Sequence, residues 1–277
     1  MNTSLYRLIP RRLTSNLMYR LSRIEIPWLK NTIIRQYMRL TGANTSFALE
    51  KNPYAYQSLN AFFTRALAEG ERPVDANPDH IASPVDGRCA IWQTLDHKSL
   101  LQAKNIRYTV DELLGDHALA DHYSNGETAT LYLAPDDYHR IHMPCDGELV
   151  GMRFCPGDKH SVALGLLDKI PNIFAGNERV VAWFETEFGL MTLVLVGALN
   201  VSSIETVWHG VVRHNPQGNA YHYSGQSRRF RKGEEIARFN LGSTVILFFS
   251  QGRITWDAAA LADQKKILMG QKIAKRC

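Results

Sequence analysis

From about residue 80 onward the chain alternates short apolar stretches with glycine turns, and this rhythm limits its fold more than any other feature. The stretches are 128–134, 148–154, 180–184, 191–196, 206–212 and 245–249, punctuated by Gly87, Gly126, Gly147, Gly157, Gly189, Gly210 and Gly252. Each has the length of a strand, and glycine enters tight turns without steric cost. Such a pattern predicts a sandwich or a partly closed barrel. Helical spacing precedes it at 59–68 and interrupts it at 110–114, where Thr109-Val110-Asp111-Glu112 has the form of a capping box. The expected class is α+β, with N-terminal amphipathic helices followed by a mainly antiparallel β sandwich or barrel-like core.

The helices are expected in a basic head. Leu13, Leu17 and Leu21 recur every four residues, Met18 and Ile24 extend the stripe, and Arg12, Arg20 and Arg23 flank it. Pro10 and Pro27 bracket this unit, and Pro27 opens a second one containing Trp28, Leu29, Ile33, Ile34, Tyr37 and Met38. Residues 1–40 carry eight basic groups against Glu25 alone, so the rest of the chain is close to neutral despite a net charge of +5. A neutral body with a cationic head is not the footprint of a nucleic-acid binder. Spacing supports two readings of the helices equally: packing on the body, or lying in a membrane interface with arginines toward anionic headgroups. No apolar run approaches the roughly 20 residues of a spanning helix, and no signal-peptide layout is present. An Arg-rich, acid-poor start also fits a mitochondrial presequence, although catalytic-looking sequence follows too soon to favour it. The division expected is 1–45 as membrane-associating helices and 46–277 as a catalytic domain. Cys89, Cys145, Cys155 and Cys277 lack metal-site spacing and read as reduced thiols.

Three segments carry chemistry: Ser83-Pro84-Val85-Asp86-Gly87, Tyr138-His139-Arg140-Ile141-His142-Met143-Pro144, and Leu241-Gly242-Ser243-Thr244 opening an apolar run. Ser243 Oγ beside the Gly242 carbonyl can convert that amide to an ester, and Gly242 permits the unusual backbone this needs. Loss of the Ser243 α-proton then expels the ester, and hydrolysis leaves ammonia and a pyruvoyl group. A hydroxyl nucleophile needs a base, for which His139 and His142 are available, and a carboxylate such as Asp86 would orient the imidazole. Each piece alone has a plainer meaning. Asp86-Gly87 is an ordinary turn pair, the histidines could be core-satisfied, and a Gly-Ser turn feeding a strand is common. Asp136 and Asp137 read as turn caps rather than metal ligands, since no further ligands cluster nearby.

Taken together, these segments resemble the prokaryotic-type, pyruvoyl-dependent phosphatidylserine decarboxylases. Further matches in the family's order are Phe62-Phe63-Thr64-Arg65, Leu101-Gln102-Ala103-Lys104, Asn177-Glu178-Arg179-Val180, Val196-Gly197-Ala198, Ser203-Ile204-Glu205-Thr206-Val207-Trp208 and Gly233-Glu234-Glu235. The resemblance implies autocatalytic cleavage between Gly242 and Ser243 into a large piece (1–242) and a small one (243–277), which stay paired, with further dimerisation left open. It assigns Asp86, His142 and Ser243 to the self-cleavage triad and His139 to the acid step of decarboxylation. The cofactor it implies is covalent pyruvate from Ser243, which forms a Schiff base with phosphatidylserine and yields phosphatidylethanolamine; no metal is expected. Arg140, Lys159 and Arg179 are candidate phosphate partners. The place implied is the cytoplasmic face of a bacterial membrane, or the mitochondrial inner membrane in a eukaryote, with an anionic lipid surface as partner. A Ser/His/Asp lipid hydrolase is disfavoured by the absence of a G-x-S-x-G elbow. A non-enzymatic membrane module would give Asp86, His142 and Ser243 no joint task, and a decarboxylase of soluble amino acids would have little use for the N-terminal helices.

Overall fold

A computed structural model of the chain describes residues 11–103, 106–199, 203–212, 214–223 and 228–277. Pro10 and Lys104 lie outside the described residues, as do the side chains of Arg12 and Ser243. Among the described residues, three helices come first: α1 (Arg11–Leu21), α2 (Pro27–Thr41) and α3 (Leu59–Phe63). Pro27 starts α2 at the position where a missing N–H costs nothing, and Gly42 closes it in the left-handed conformation. The helix expected over 59–68 ends at Phe63, because the chain turns there and Arg65 plunges inward, 1% exposed.

The body is built around one large antiparallel sheet. Its strand order is β12 (Asn219–His222), β7 (Gly147–Cys155), β8 (Arg179–Thr186), β9 (Gly189–Gly197), β15 (Ser243–Phe249), β5 (Glu127–Leu133), β2 (Gly87–Thr94) and β17 (Lys266–Ile267). The short β13 (Arg229–Phe230) also pairs with β7. The sheet is open at both ends, so the architecture is a sandwich rather than a closed barrel. On one face lie a four-stranded sheet, β11 (Gly210–Val212), β10 (Ser203–Thr206), β14 (Glu235–Asn240) and β6 (Arg140–His142), and a three-stranded sheet, β1 (His80–Ala82), β18 (Lys272–Arg276) and β16 (Ile254–Trp256). The other face is covered by the hairpin β3 (Ser99–Ala103) and β4 (Ile106–Thr109), followed by α4 (Val110–Leu114), with the capping box in place.

β15 explains its own sequence. Val245, Leu247 and Phe249 enter the core on one face, Ile246 and Phe248 the core on the other, so a central strand covered on both sides reads as an unbroken apolar run. The stretch 206–212 differs from the single strand expected: it is a hairpin, with Gly210 at φ +74° turning β10 into β11. Cys89, Cys145 and Cys155 are buried free thiols, and Cys277 is exposed.

The N-terminal layer inverts this logic. α1 buries Ser15 at 1% exposure, the residue after it, Ser22, is buried at 0%, and α1 turns Leu13 and Leu17 outward at 70% and 56%. α2 buries Ile34 and leaves Trp28 71% exposed. Arg11 anchors α1 to the body through Asp158 at 2.6 Å, a pairing that holds the Asp158 carboxyl down at about 2.

Candidate active site

Two connections leave the large sheet side by side. Residues 134–139 link β5 to β6, and Leu241-Gly242 links β14 to β15; β6 pairs with β14, while β5 pairs with β15. The crossovers are therefore neighbours: the Phe239 N–H donates to the His139 carbonyl at 3.1 Å, and Ser243 lies between Leu133 and Gly197 in the sheet. This topology brings Gly242-Ser243 to the histidine segment across a sequence separation of about a hundred residues.

The short crossover is strained. Leu241 has φ +78° and Gly242 φ +65°, two successive left-handed residues. Glycine accepts this freely, whereas an L-residue with a Cβ is disfavoured by about 1–2 kcal/mol. Leu241 is held there by burial, being 5% exposed, and by the sheets on both sides.

The long crossover is fixed by side chains. Asp137 caps its own turn, with the Ala134 N–H donating to Oδ2 at 2.8 Å, and its buried carboxylate meets Lys266 Nζ at 2.7 Å. His139 is fully buried, its Nδ1–H donates to the Asp137 carbonyl at 2.8 Å, and its ring lies 3.9 Å from that of Phe63. Burial pushes its pKa down to about 3, so the imidazole is neutral near pH 7. Its Nε2 is a buried acceptor with no partner among the described residues. His142 is also shifted down, first of all by burial. Its Nδ1–H donates to the Gly233 carbonyl and its Nε2 accepts from Tyr138 Oη, both at 2.8 Å. Burial raises the Tyr138 pKa, which keeps that hydroxyl protonated and able to donate.

Asp86 lies at the start of β2, and the loop before it meets β6 directly: the His142 N–H donates to the Pro84 carbonyl at 2.9 Å. Among the described residues the Asp86 carboxylate makes no hydrogen bond to the His142 ring, whose nitrogens bond the Gly233 carbonyl and Tyr138 Oη. Arg72 grips Asp86 through Nε at 3.0 Å and Nη2 at 2.6 Å, and the Met269 N–H takes Oδ1 at 2.8 Å. A carboxylate with 0% exposure draws the strongest donor fork within reach, and a bidentate guanidinium outcompetes an imidazole. Arg72 and Tyr138 are the two functional contacts that sequence reading missed. Tyr138 carries a usable signal, since an aromatic hydroxyl stands four residues from His142; Arg72 gives none until the fold is known.

A sequence model of the family described as phosphatidylserine decarboxylase matches residues 59–275, and a second model, described as PSD, matches residues 1–42. The chain belongs to the phosphatidylserine decarboxylase family. It is 44% identical over 278 residues to the phosphatidylserine decarboxylase proenzyme of Nitrosococcus oceani, covering 98% of this chain and 90% of that one. The proenzymes of Methylococcus capsulatus and Coxiella burnetii are 42% and 44% identical, covering 92% of this chain and 90% and 91% of theirs. Family membership makes the chain an enzyme and gives the neighbouring crossovers a common context.

The three candidate phosphate partners separate in the structure. Arg179 is 4% exposed and directs its donors to the carbonyls of Glu112, Leu113, Ala175 and Asn177, so it ties β8 to α4 and to the helical turn ending at Asn177 rather than holding a phosphate. Arg140 bridges the Thr64 carbonyl and Glu235. Lys159 lies 3.7 Å from Glu178. Among the described residues, no group of three or more histidine, cysteine or acidic side chains is arranged to hold a metal ion.

Proposed function

We propose that this chain cuts itself between Gly242 and Ser243 and then decarboxylates phosphatidylserine with a pyruvoyl group made from Ser243. The observation that carries the reading is the pair of left-handed residues at 241 and 242, immediately before Ser243 and beside the histidine crossover. Strain of this kind concentrates where it serves a mechanism. Cleavage there releases Leu241 from a conformation that its burial and the flanking sheets impose.

In the cut, Ser243 supplies the nucleophile and His142 the base, taking the hydroxyl proton on Nε2 once Tyr138 Oη has swung aside. Asp86 acts at one remove: its charge faces the His142 site from the loop whose Pro84 carbonyl holds the His142 backbone. The residues fit the group that results. The residue left at position 243 starts a strand paired on both sides, so the group is held in place with no separate binding site. Once formed, a pyruvoyl group supplies a carbonyl for the substrate amine and an electron sink for the bond to CO2.

His139 is neutral at rest, so it must take a proton before it can give one. The unpartnered Nε2 can accept the proton that the substrate ammonium sheds, then return a proton to the carbon that has lost CO2. The surrounding Phe63 ring excludes water from that exchange.

The N-terminal layer suits a lipid substrate. Leu13, Leu17 and Trp28 point outward from basic helices, the arrangement of an interfacial anchor, and no described helix is long and apolar enough to cross a membrane. We place the enzyme on an anionic membrane surface, at the cytoplasmic face of the cell membrane, with residues 1–45 as the anchor and 46–277 as the catalytic unit. Intact mass under denaturing conditions tests the core of this reading: two pieces meeting at 242/243, the smaller beginning with pyruvoyl, are expected. A single unmodified folded chain would return the hydrolase and membrane-module readings to the front.

A further inference from the structure

Asn60 is the second residue of α3, and its two hydrogen-bonding ends reach different parts of the protein. Its backbone N–H, one of the donors that a helix's first turn leaves without an internal partner, goes to the Ser22 carbonyl at 2.8 Å, in the junction between α1 and α2. Its side-chain Nδ2 donates to Asn240 Oδ1 at 2.9 Å, and Asn240 Nδ2 donates to Ser203 Oγ at 2.8 Å. Asn240 is 2% exposed and ends β14, directly before Leu241 and Gly242. Asn60 Oδ1 is buried with no partner among the described residues. An apolar pair of similar shape would fill this seam without burying an unmatched acceptor, so stability alone does not account for two amides here. What an amide pair adds is a fixed direction and distance.

We propose that the Asn60–Asn240 bond is a positioning device for self-cleavage, through which the α1–α2 junction holds the Leu241-Gly242 turn in its left-handed state. The inference rests on the reading of Gly242-Ser243 as the cut site. Asn60 touches neither the scissile bond nor the substrate; it acts through Asn240. The bond fixes where β14 ends, and the next two residues must then reach β15 in a space that only a tight left-handed turn spans. Without it, the end of β14 shifts, Leu241 relaxes toward φ values it prefers, and the Gly242 carbonyl leaves the line of attack.

The test is the rate at which the full chain, made by cell-free synthesis and sampled over time, yields the 243–277 piece. Asn60→Leu keeps the branched shape of the side chain and removes the bond, and it is expected to slow the cut about tenfold or more, since small displacements of reacting atoms are costly. Asn60→Asp is expected to restore most of the rate, because the Asn240 amide and the Ser203 hydroxyl can reverse their roles to donate and re-form the bond. Asn60→Ala combined with Asn240→Ala should be no slower than the slower single variant, as both remove one bridge. Folding is followed separately by melting each variant in a Ser243→Ala background, where no cut intervenes. A folded Asn60→Leu chain cut at the wild-type rate overturns the proposal. So do slowdowns that multiply in the double variant, or that simply follow the loss of melting temperature with no rescue by Asn60→Asp. If the wild-type chain is not cut at 242/243, the underlying reading falls and takes the bridge with it; if it is cut and Asn60→Leu matches it, only the bridge falls.

Discussion

The 134–139 crossover and the Leu241-Gly242 crossover join the same two sheets, yet they are held in opposite ways. The long one is pinned at successive side chains: Asp137 by Ala134 and Lys266, Tyr138 by His142, and His139 by Asp137 and Phe63. The short one has two residues, both left-handed, held by the strands at either end. A segment locked in place suits groups that must act repeatedly, while one kept under strain suits a bond that breaks once. In the function proposed above, the difference would separate maturation from turnover, and substitutions can probe each side.

The largest effect is expected at the strained crossover. Ser243→Ala should give an uncut, inactive chain, and His142→Ala or Asp86→Asn should block or nearly block the cut, as read by denaturing gel and mass. Full processing of the His142 and Asp86 variants would remove both residues from maturation. Arg72→Gln comes next: it leaves a fully buried carboxylate without its guanidinium, a change that typically destabilises by about 3–5 kcal/mol. Chemical denaturation of the Ser243→Ala precursor measures this, and a loss below about 1 kcal/mol would show that Asp86 had found another donor.

On the locked side, His139→Ala should spare the cut and lower turnover by about 10²–10⁴-fold, the usual share of a positioned proton-transfer group. Equal loss of both activities would erase the division between the crossovers. pH gives a milder test. His139 has a pKa of about 3 in the fold against an ordinary 6.5, so between these values the unfolded chain binds the extra proton. Its contribution is intact above about 6.5 and erodes at up to about 1.4 kcal/mol per pH unit below it. His139→Gln should flatten that acid limb, leaving the part that His142 adds in the same direction. The smallest effect lies away from both crossovers. Leu13→Ser with Leu17→Ser should weaken sedimentation with anionic vesicles by about tenfold or more at an unchanged melting temperature, since about 0.8 kcal/mol attaches to each CH2 buried in lipid. A lowered melting temperature instead would mean that these leucines pack on protein.

Much of this was legible in sequence because it is local. Glycine turns and apolar runs mark β5, β7, β8, β9 and β15, and the capping box at Thr109 appears as expected. The hairpin within 206–212 was missed because Gly210 sits inside an apolar stretch and its left-handed φ is invisible until the chain turns. The site segments stood out by residue type, but their wiring did not. Asp86 meets Arg72 at a separation of 14 residues and Met269 at 183, and no periodicity encodes such partners. The stripe of α1 was visible, whereas the face it turns to the body was not: Ser15 goes inward because Arg11, and the carbonyl of Ser22 just past the helix end, fix the helix's rotation.

The path of residues 243–277 has one more consequence. That segment supplies β15 at the middle of the large sheet, β17 at its edge, and, in the three-stranded sheet, β18 beside β1 with β16 on its far side. Under the proposed cut, the small piece would have no exit that leaves the rest folded, since its departure would split the sheet in two. A two-piece protein would then carry its structure as an inheritance from an intact precursor. Melted and cooled, the two pieces would have to find each other at bimolecular cost, while the uncut Ser243→Ala chain refolds as one.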